Sequence, residues 1–223
     1  MGGDGRADGR RCYHPRVKSP IVIVDYGAGN LRSVQKAFEH LGYEAAYTSD
    51  PDDLARAPAI VFPGQGACPP AMAALERDGM ADAVRDAVKR GVPFFGVCLG
   101  LQLLLEHSEE GDVDGLGIVP GAVRRFAPGL KVPHMGWNSV KVLGEHPVFQ
   151  GVPKDSYFYF VHSYYADPTG ASWVEGTTEY GVEFASVLAK GNLVATQFHP
   201  EKSGNVGLKL YDNFVKHLVL TRA

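Results

Sequence analysis

The chain has 223 residues, 45% apolar and 21% charged, and its 22 basic and 25 acidic side chains give a net charge of −3. That is enough apolar material for a substantial core and too little charge for general disorder. No basic stripe runs through the body of the chain, which argues against nucleic acid as a main partner. Its longest apolar runs, Ile21 to Val24 and Leu101 to Leu105, fall far short of the roughly 20 residues that a membrane helix needs.

Residues 1–18 are rich in Gly and Arg and lack the apolar stretch of a secretory signal, so they are expected to be an unstructured tail before one domain over 19–223. Gly2 does not make a myristoylation site, because Arg6 stands where Ser or Thr is required. Cys12, Cys68 and Cys98 are odd in number with no CxxC pair, so neither a disulfide framework nor a zinc site is expected, and no other metal or cofactor is either. A reducing, cytoplasmic compartment fits best.

Ile21-Val22-Ile23-Val24 predicts a buried strand feeding a helix, with Asn30 as cap, Leu31, Val34, Phe38 and Leu41 at helical spacing, and Gly42 to end it. Ile60-Val61-Phe62 predicts the next strand, stopped by Pro63-Gly64. Met72, Leu75, Met80, Val84 and Val88 predict helical cover, interrupted near Asp78-Gly79. Pro93 to Val97 reads as a strand and Leu99 to Glu106 as a helix. Such alternation implies a mostly parallel central sheet with helices on both faces. The second half changes character. Val123, Trp137 to Val142, Tyr157 to His162, Val182 to Leu188 and Leu193 to Phe198 read as strands separated by Gly, Pro and Asp, which suits an antiparallel layer in an α/β fold. A closing helix is expected from about Gly204, capped by Ser203, with Val206, Leu210, Phe214 and Leu218 on one face.

Gly96-Val97-Cys98-Leu99-Gly100 has the small-x-nucleophile-x-small pattern of a nucleophile elbow, in which a strained strand-to-helix turn lets the flanking chain pass closely. It would set Cys98 at a helix N-terminus, where the macrodipole and free N–H groups favour a thiolate and a developing oxyanion. A buried structural Cys between packing glycines is the plainer alternative. Phe198-His199-Pro200-Glu201 ends a strand at the sheet edge where reacting groups gather; His199 suits a base and Glu201 its orienter, and a solvated strand end is the plainer alternative. Pro63-Gly64-Gln65-Gly66 either turns a peptide N–H inward as a second oxyanion donor beside the Leu99 amide or makes an ordinary turn. Gly27-Ala28-Gly29 imitates a dinucleotide fingerprint, but Arg32 occupies the place of its third glycine.

Together, Pro63 to Gly66, Gly96 to Gln102 and His199-Pro200-Glu201 resemble the class I (triad) glutamine amidotransferases, from about Ile21 to the C-terminus. Asp25-Tyr-Gly-Ala-Gly-Asn-Leu31 and Pro133-His-Met-Gly-Trp-Asn138 resemble, more narrowly, the glutaminase subunits of imidazole glycerol phosphate synthase. The resemblance implies that Cys98 attacks the side-chain amide of glutamine and that the ammonia released passes to a (β/α)8-barrel cyclase subunit in a heterodimer. By the same motifs, Gln102 and His162-Ser163-Tyr164 would hold the glutamine head group, Glu110 would face its ammonium, and Gly66 would line the pocket. The oxyanion donor would be a peptide N–H near Gln65, where many relatives carry an apolar residue. Asn30, His134, Met135, Trp137 and Lys202 would meet the cyclase; a strand entry packed on the core is the plainer reading of His134, Met135 and Trp137, and a solvated charge that of Lys202. An autonomous Cys hydrolase of related fold, an inactive scaffold, and the anthranilate, aminodeoxychorismate or GMP synthase subunits are the rivals. The intact Cys98, His199 and Glu201 count against the scaffold, and the two narrower segments count against the other synthases.

Overall fold

The computed structural model describes residues 20–27 and 29–222. The N-terminal tail, Cys12 and Ala28 lie outside the described residues. In chain order the elements are β1 (Ile21–Val24), α1 (Leu31–His40), β2 (Ala45–Thr48), α2 (Pro51–Arg56), β3 (Ile60–Gly64), α3 (Cys68–Arg77), α4 (Met80–Lys89), β4 (Phe94–Cys98) and α5 (Leu99–Gln102). Then follow β5 (Leu105–Ser108), β6 (Val113–Asp114), β7 (Val119–Arg125), β8 (His134–Ser139), β9 (Lys141–Val142), β10 (Tyr157–His162), β11 (Tyr164–Pro168), β12 (Val174–Glu179), β13 (Glu183–Lys190), β14 (Leu193–Thr196) and α6 (Gly204–Phe214).

Alternate residues of β1 enter two different apolar clusters. Val22 and Val24 pack with Phe62, Leu75 and Val84, whereas Ile21 and Ile23 pack with Phe38, Tyr211 and Phe214. The strand is therefore buried on both faces, α3 and α4 covering one and α1 and α6 the other, as its β-branched sequence predicts. The main sheet runs β2-β1-β3-β4-β14-β13-β11-β7-β5-β6, parallel from β2 to β14. From β13 the pairing is antiparallel as far as β7, so the second half of the chain extends the same sheet, and β8 with β10 forms a separate two-stranded ribbon.

The expected helix from Leu99 to Glu106 is corrected to a single turn. Beyond Gln102 the chain leaves the helix for the sheet, and the carbonyls of Leu103 and Leu104 accept hydrogen bonds from the amides of Leu116 and Ile118 at 2.8 and 2.9 Å. Leu105–Ser108 instead pairs in parallel with β7. Asn30 and Ser203 precede α1 and α6 as expected, yet neither side chain caps its helix. Both are turned to the candidate site.

Candidate active site

The parallel register builds the site. Gly64 pairs with Cys98 across β3 and β4, and Val97 pairs with Thr196 across β4 and β14, so the segments after all three strands emerge at one edge. Cys98 holds φ 54° and ψ −108°, a conformation that L-residues rarely adopt. It is tolerated because α5 turns back directly onto β3. A Cβ at Gly100 would collide with the Phe62 carbonyl oxygen, so only glycine allows that approach. With α5 one turn long, the polarity at Cys98 comes from local N–H groups, Leu99 supplying the first, rather than from the macrodipole expected of a longer helix.

His199 is 2% exposed at its side chain, and its Nδ1 donates to Glu201 Oε1 at 2.9 Å. That bond occupies one ring nitrogen and leaves the other free, and His199 shares the wall of one cavity with Cys98. Burial disfavours charge on the ring, but the hydrogen bonds and negative charges of Cys98 and Glu201 outweigh it and raise the His199 pKa to about 10. The Glu201 side chain is 1% exposed and among the described residues is met by three donors: His199 Nδ1, Asn30 Nδ2 on the same Oε1 at 3.1 Å, and Tyr211 Oη on Oε2 at 3.4 Å. Burial and the Glu201 charge push the Tyr211 phenol well above its ordinary range, so it stays a donor. Ser203 braces the same segment, donating to the His199 carbonyl at 2.6 Å and accepting the Tyr159 amide at 3.0 Å. Cys68, the other described cysteine, is buried at the start of α3, and burial drives its thiol up to about 12.

A cavity of about 380 Å³ lies over Cys98. Its wall includes Gln65, Gly66, Leu99, Gln102, Glu110, Ser163, Tyr164, His199 and Lys202, so the residues assigned to glutamine and to the oxyanion meet in one place. Gln102 Nε2 donates to the Tyr164 carbonyl at 2.8 Å and to Gln197 Oε1 at 3.0 Å, so both its N–H groups are used. Glu110 accepts the Cys68 amide at 2.8 Å, which commits one oxygen to the start of α3. His162 joins the wall, but its ring is held elsewhere. Its Nδ1 meets the Tyr164 carbonyl at 2.8 Å and its Nε2 meets His134 Nδ1 at 2.9 Å, while Asn138 Nδ2 meets His134 Nε2 at 3.2 Å. Only one set of tautomers satisfies that chain, with each ring donating from Nδ1 and accepting at Nε2. Burial lowers both pKa values, to about 4 for His134 and about 3 for His162, so both rings are neutral.

The residues expected at a partner surface separate. Met135 is 60% exposed and Trp137 is 56% exposed, on the ribbon whose other strand carries Val161 and His162 into the cavity wall. His134 faces inward, as the strand-entry reading expects: it is 4% exposed and stacked on Tyr180 at 4.0 Å. Asn30 donates one N–H to Glu201 and is partly exposed. Lys202 is exposed at the cavity wall, with no carboxylate in ion-pair distance among the described residues. Sequence reasoning missed Tyr211 and Gln197, which carry no motif of their own. It also missed the Asn30 contact, since nothing local announces a partner 171 residues away.

The sequence profile of the family described as glutamine amidotransferase class-I matches residues 22–218. The chain is 52% identical over 196 residues to the imidazole glycerol phosphate synthase subunit HisH of Moorella thermoacetica, covering 87% of this chain and 93% of that protein. It is 48% identical to the subunit of the same name from Dehalococcoides mccartyi strain CBDB1, covering 88% and 96%. Among solved structures, a glutamine amidotransferase crystal structure aligns with a TM-score of 0.70 at 23% identity, over 87% of this chain and 97% of the other. A chain of PurLQS from Thermotoga maritima aligns with a TM-score of 0.69 at 19% identity, over 89% and 98%. These two likenesses show the shared fold.

Proposed function

The chain belongs to the class I glutamine amidotransferases, and on that premise we propose that it is the glutaminase subunit of an imidazole glycerol phosphate synthase, serving histidine biosynthesis. The observation that carries the chemistry is that buried His199, hydrogen-bonded to Glu201, lines one cavity together with Cys98. His199 takes the thiol proton, and the Cys98 sulfur attacks the side-chain amide carbon of glutamine. As the tetrahedral intermediate collapses, the C–N bond breaks and His199 returns the proton to the leaving nitrogen, giving ammonia and a glutamyl thioester. Water, deprotonated by His199, then hydrolyses the thioester to glutamate and frees the thiol. The Leu99 amide and a peptide N–H near Gln65 receive the negative oxygen. Gln102 has Oε1 left for the substrate, and Glu110, Ser163, Tyr164 and Gly66 complete its cradle.

Residues 19–223 act as one amidotransferase domain whose ammonia is passed to a (β/α)8-barrel cyclase subunit in a heterodimer, which makes imidazole glycerol phosphate and an aminoimidazole carboxamide nucleotide. Exposed Met135 and Trp137, joined on the ribbon by Tyr157 at 61% exposure, support that docking face, because large apolar groups this accessible and this close together mark contact surfaces. Lys202 lies at the cavity wall, where it would meet the partner. Cys98 must stay reduced to react, which suits the cytoplasm. Glutaminase activity measured with and without the cyclase subunit and its nucleotide ligand tests the reading. Strong stimulation is expected, and full activity of the isolated chain would favour an autonomous hydrolase.

A further inference from the structure

The reaction as described uses Cys98, His199 and Glu201 and gives no task to Gln197, although Gln197 is fully buried and its Nε2 lies 3.7 Å from the Cys98 sulfur. The register explains the meeting. Val97 and Thr196 are paired in parallel strands, so the next residues, Cys98 and Gln197, leave the sheet side by side. The orientation of the Gln197 amide follows from its other contact. Its Oε1 accepts from Gln102 Nε2 at 3.0 Å, and Gln102 is itself held by the Tyr164 carbonyl. Turning the amide over would set two NH₂ groups against each other at Gln102 and an amide oxygen against the sulfur, so the network keeps an N–H aimed at Cys98.

The other groups on the sulfur show what this donor does. The Val161 carbonyl, 3.9 Å away, can accept from a thiol and repels a thiolate. An amide N–H does the reverse, favouring the charged sulfur. We propose that Gln197 is a positioning residue: its amide holds the Cys98 sulfur as a thiolate in attacking position and couples it to Gln102 on the wall of the glutamine cavity. The proposal rests on Cys98 being the nucleophile, but it concerns the acidity of the sulfur and needs no turnover to be read.

The test is alkylation of Cys98 by iodoacetamide in the full chain without glutamine, followed across pH by mass spectrometry of the Cys98 peptide. Gln197→Met keeps much of the volume and removes the donor. The alkylation midpoint is expected to rise by about one pH unit, a tenfold loss of thiolate well below the midpoint, with kcat in the cyclase complex about tenfold lower and KM changed less than threefold. Gln102→Leu makes no change at the sulfur yet frees the Gln197 amide to turn, so the same upward movement is expected from it. Because Gln102 stands at the cavity wall, that variant decides the matter should Gln197→Met fail to fold. A wild-type midpoint in a folded variant, judged by an unchanged unfolding transition, would overturn the proposal. Shifted midpoints in a protein whose wild-type complex releases no ammonia from glutamine would instead sink the glutaminase reading and leave this one standing.

Discussion

Replacing Glu201 by Gln tests the electrostatics of the triad most sharply, because the surroundings dictate how the amide must lie. Among the described residues Oε1 receives two donors, His199 Nδ1 and Asn30 Nδ2, whereas Oε2 receives only the Tyr211 hydroxyl, which can rotate and accept. The Gln oxygen therefore takes the Oε1 site and the NH₂ faces Tyr211, so His199 keeps its Nδ1–H tautomer. What is lost is the charge. A hydrogen bond to a charged group is worth about 1.5–3 kcal/mol and a neutral one about 0.5–1.5, so the loss is about 1–1.5 kcal/mol, or roughly tenfold in kcat. Removing the base altogether with His199→Ala is expected to lower the rate by about 10²–10⁴. The pH dependence follows from the raised His199 pKa. A histidine raised from 6.5 to about 10 stabilises the fold fully below pH 6.5, and that contribution is lost as pH climbs through the folded value. Glu201→Gln lowers that value, so the alkaline limb of kcat against pH moves down. In the Glu201→Gln background, Asn30→Ala removes the second donor that fixes the amide, so the double variant is expected to lose more than the product of the single losses. Glutaminase assays on the cyclase complex over a pH series would measure these variants, Asn30→Ala alone among them. A Glu201→Gln loss as large as that of His199→Ala, or an unmoved alkaline limb, would refute the reasoning.

Cys98→Ala is expected to abolish synthesis from glutamine while leaving synthesis from added ammonium salt intact in the complex, and loss of both would refute the division of labour. Gly100→Ala would drive a methyl group into the Phe62 carbonyl, so a destabilisation of about 3 kcal/mol or more is expected in urea unfolding, and wild-type stability would show that α5 can back away from β3. Trp137→Ala should leave the stability of the isolated chain within about 0.5 kcal/mol, yet weaken its calorimetric affinity for the cyclase by about 2 kcal/mol or more. Unchanged affinity would remove the ribbon from the interface.

The sequence by itself determined the parts that are local. Ile21 to Val24 and Ile60 to Phe62 are short β-branched or aromatic runs with turn signals behind them, and a chain so patterned has few options besides buried parallel strands. Gly96 to Gly100 specified the elbow for the same reason, since flanking glycines are a steric requirement of the turn itself, and His199 with Glu201 carried their geometry in a two-residue spacing. What only the tertiary structure decided depends on groups far apart in the chain. The end of α5 at Gln102 goes with the pairing of Leu105 to Ser108 against β7, and an apolar run such as Leu101 to Leu105 reads equally well as helix or strand before that partner is known. His134, expected beside Met135 and Trp137 at the partner surface, turned inward, where His162 and Asn138 offer it both an acceptor and a donor. Asn30, a good cap by composition, was taken by Glu201, and Gln197 became a neighbour of Cys98 only when β4 and β14 came into register. Hydrogen-bonding side chains go to whichever partner is nearest once the backbone is placed, and the sheet order, rather than the residue type, decides which partner that is.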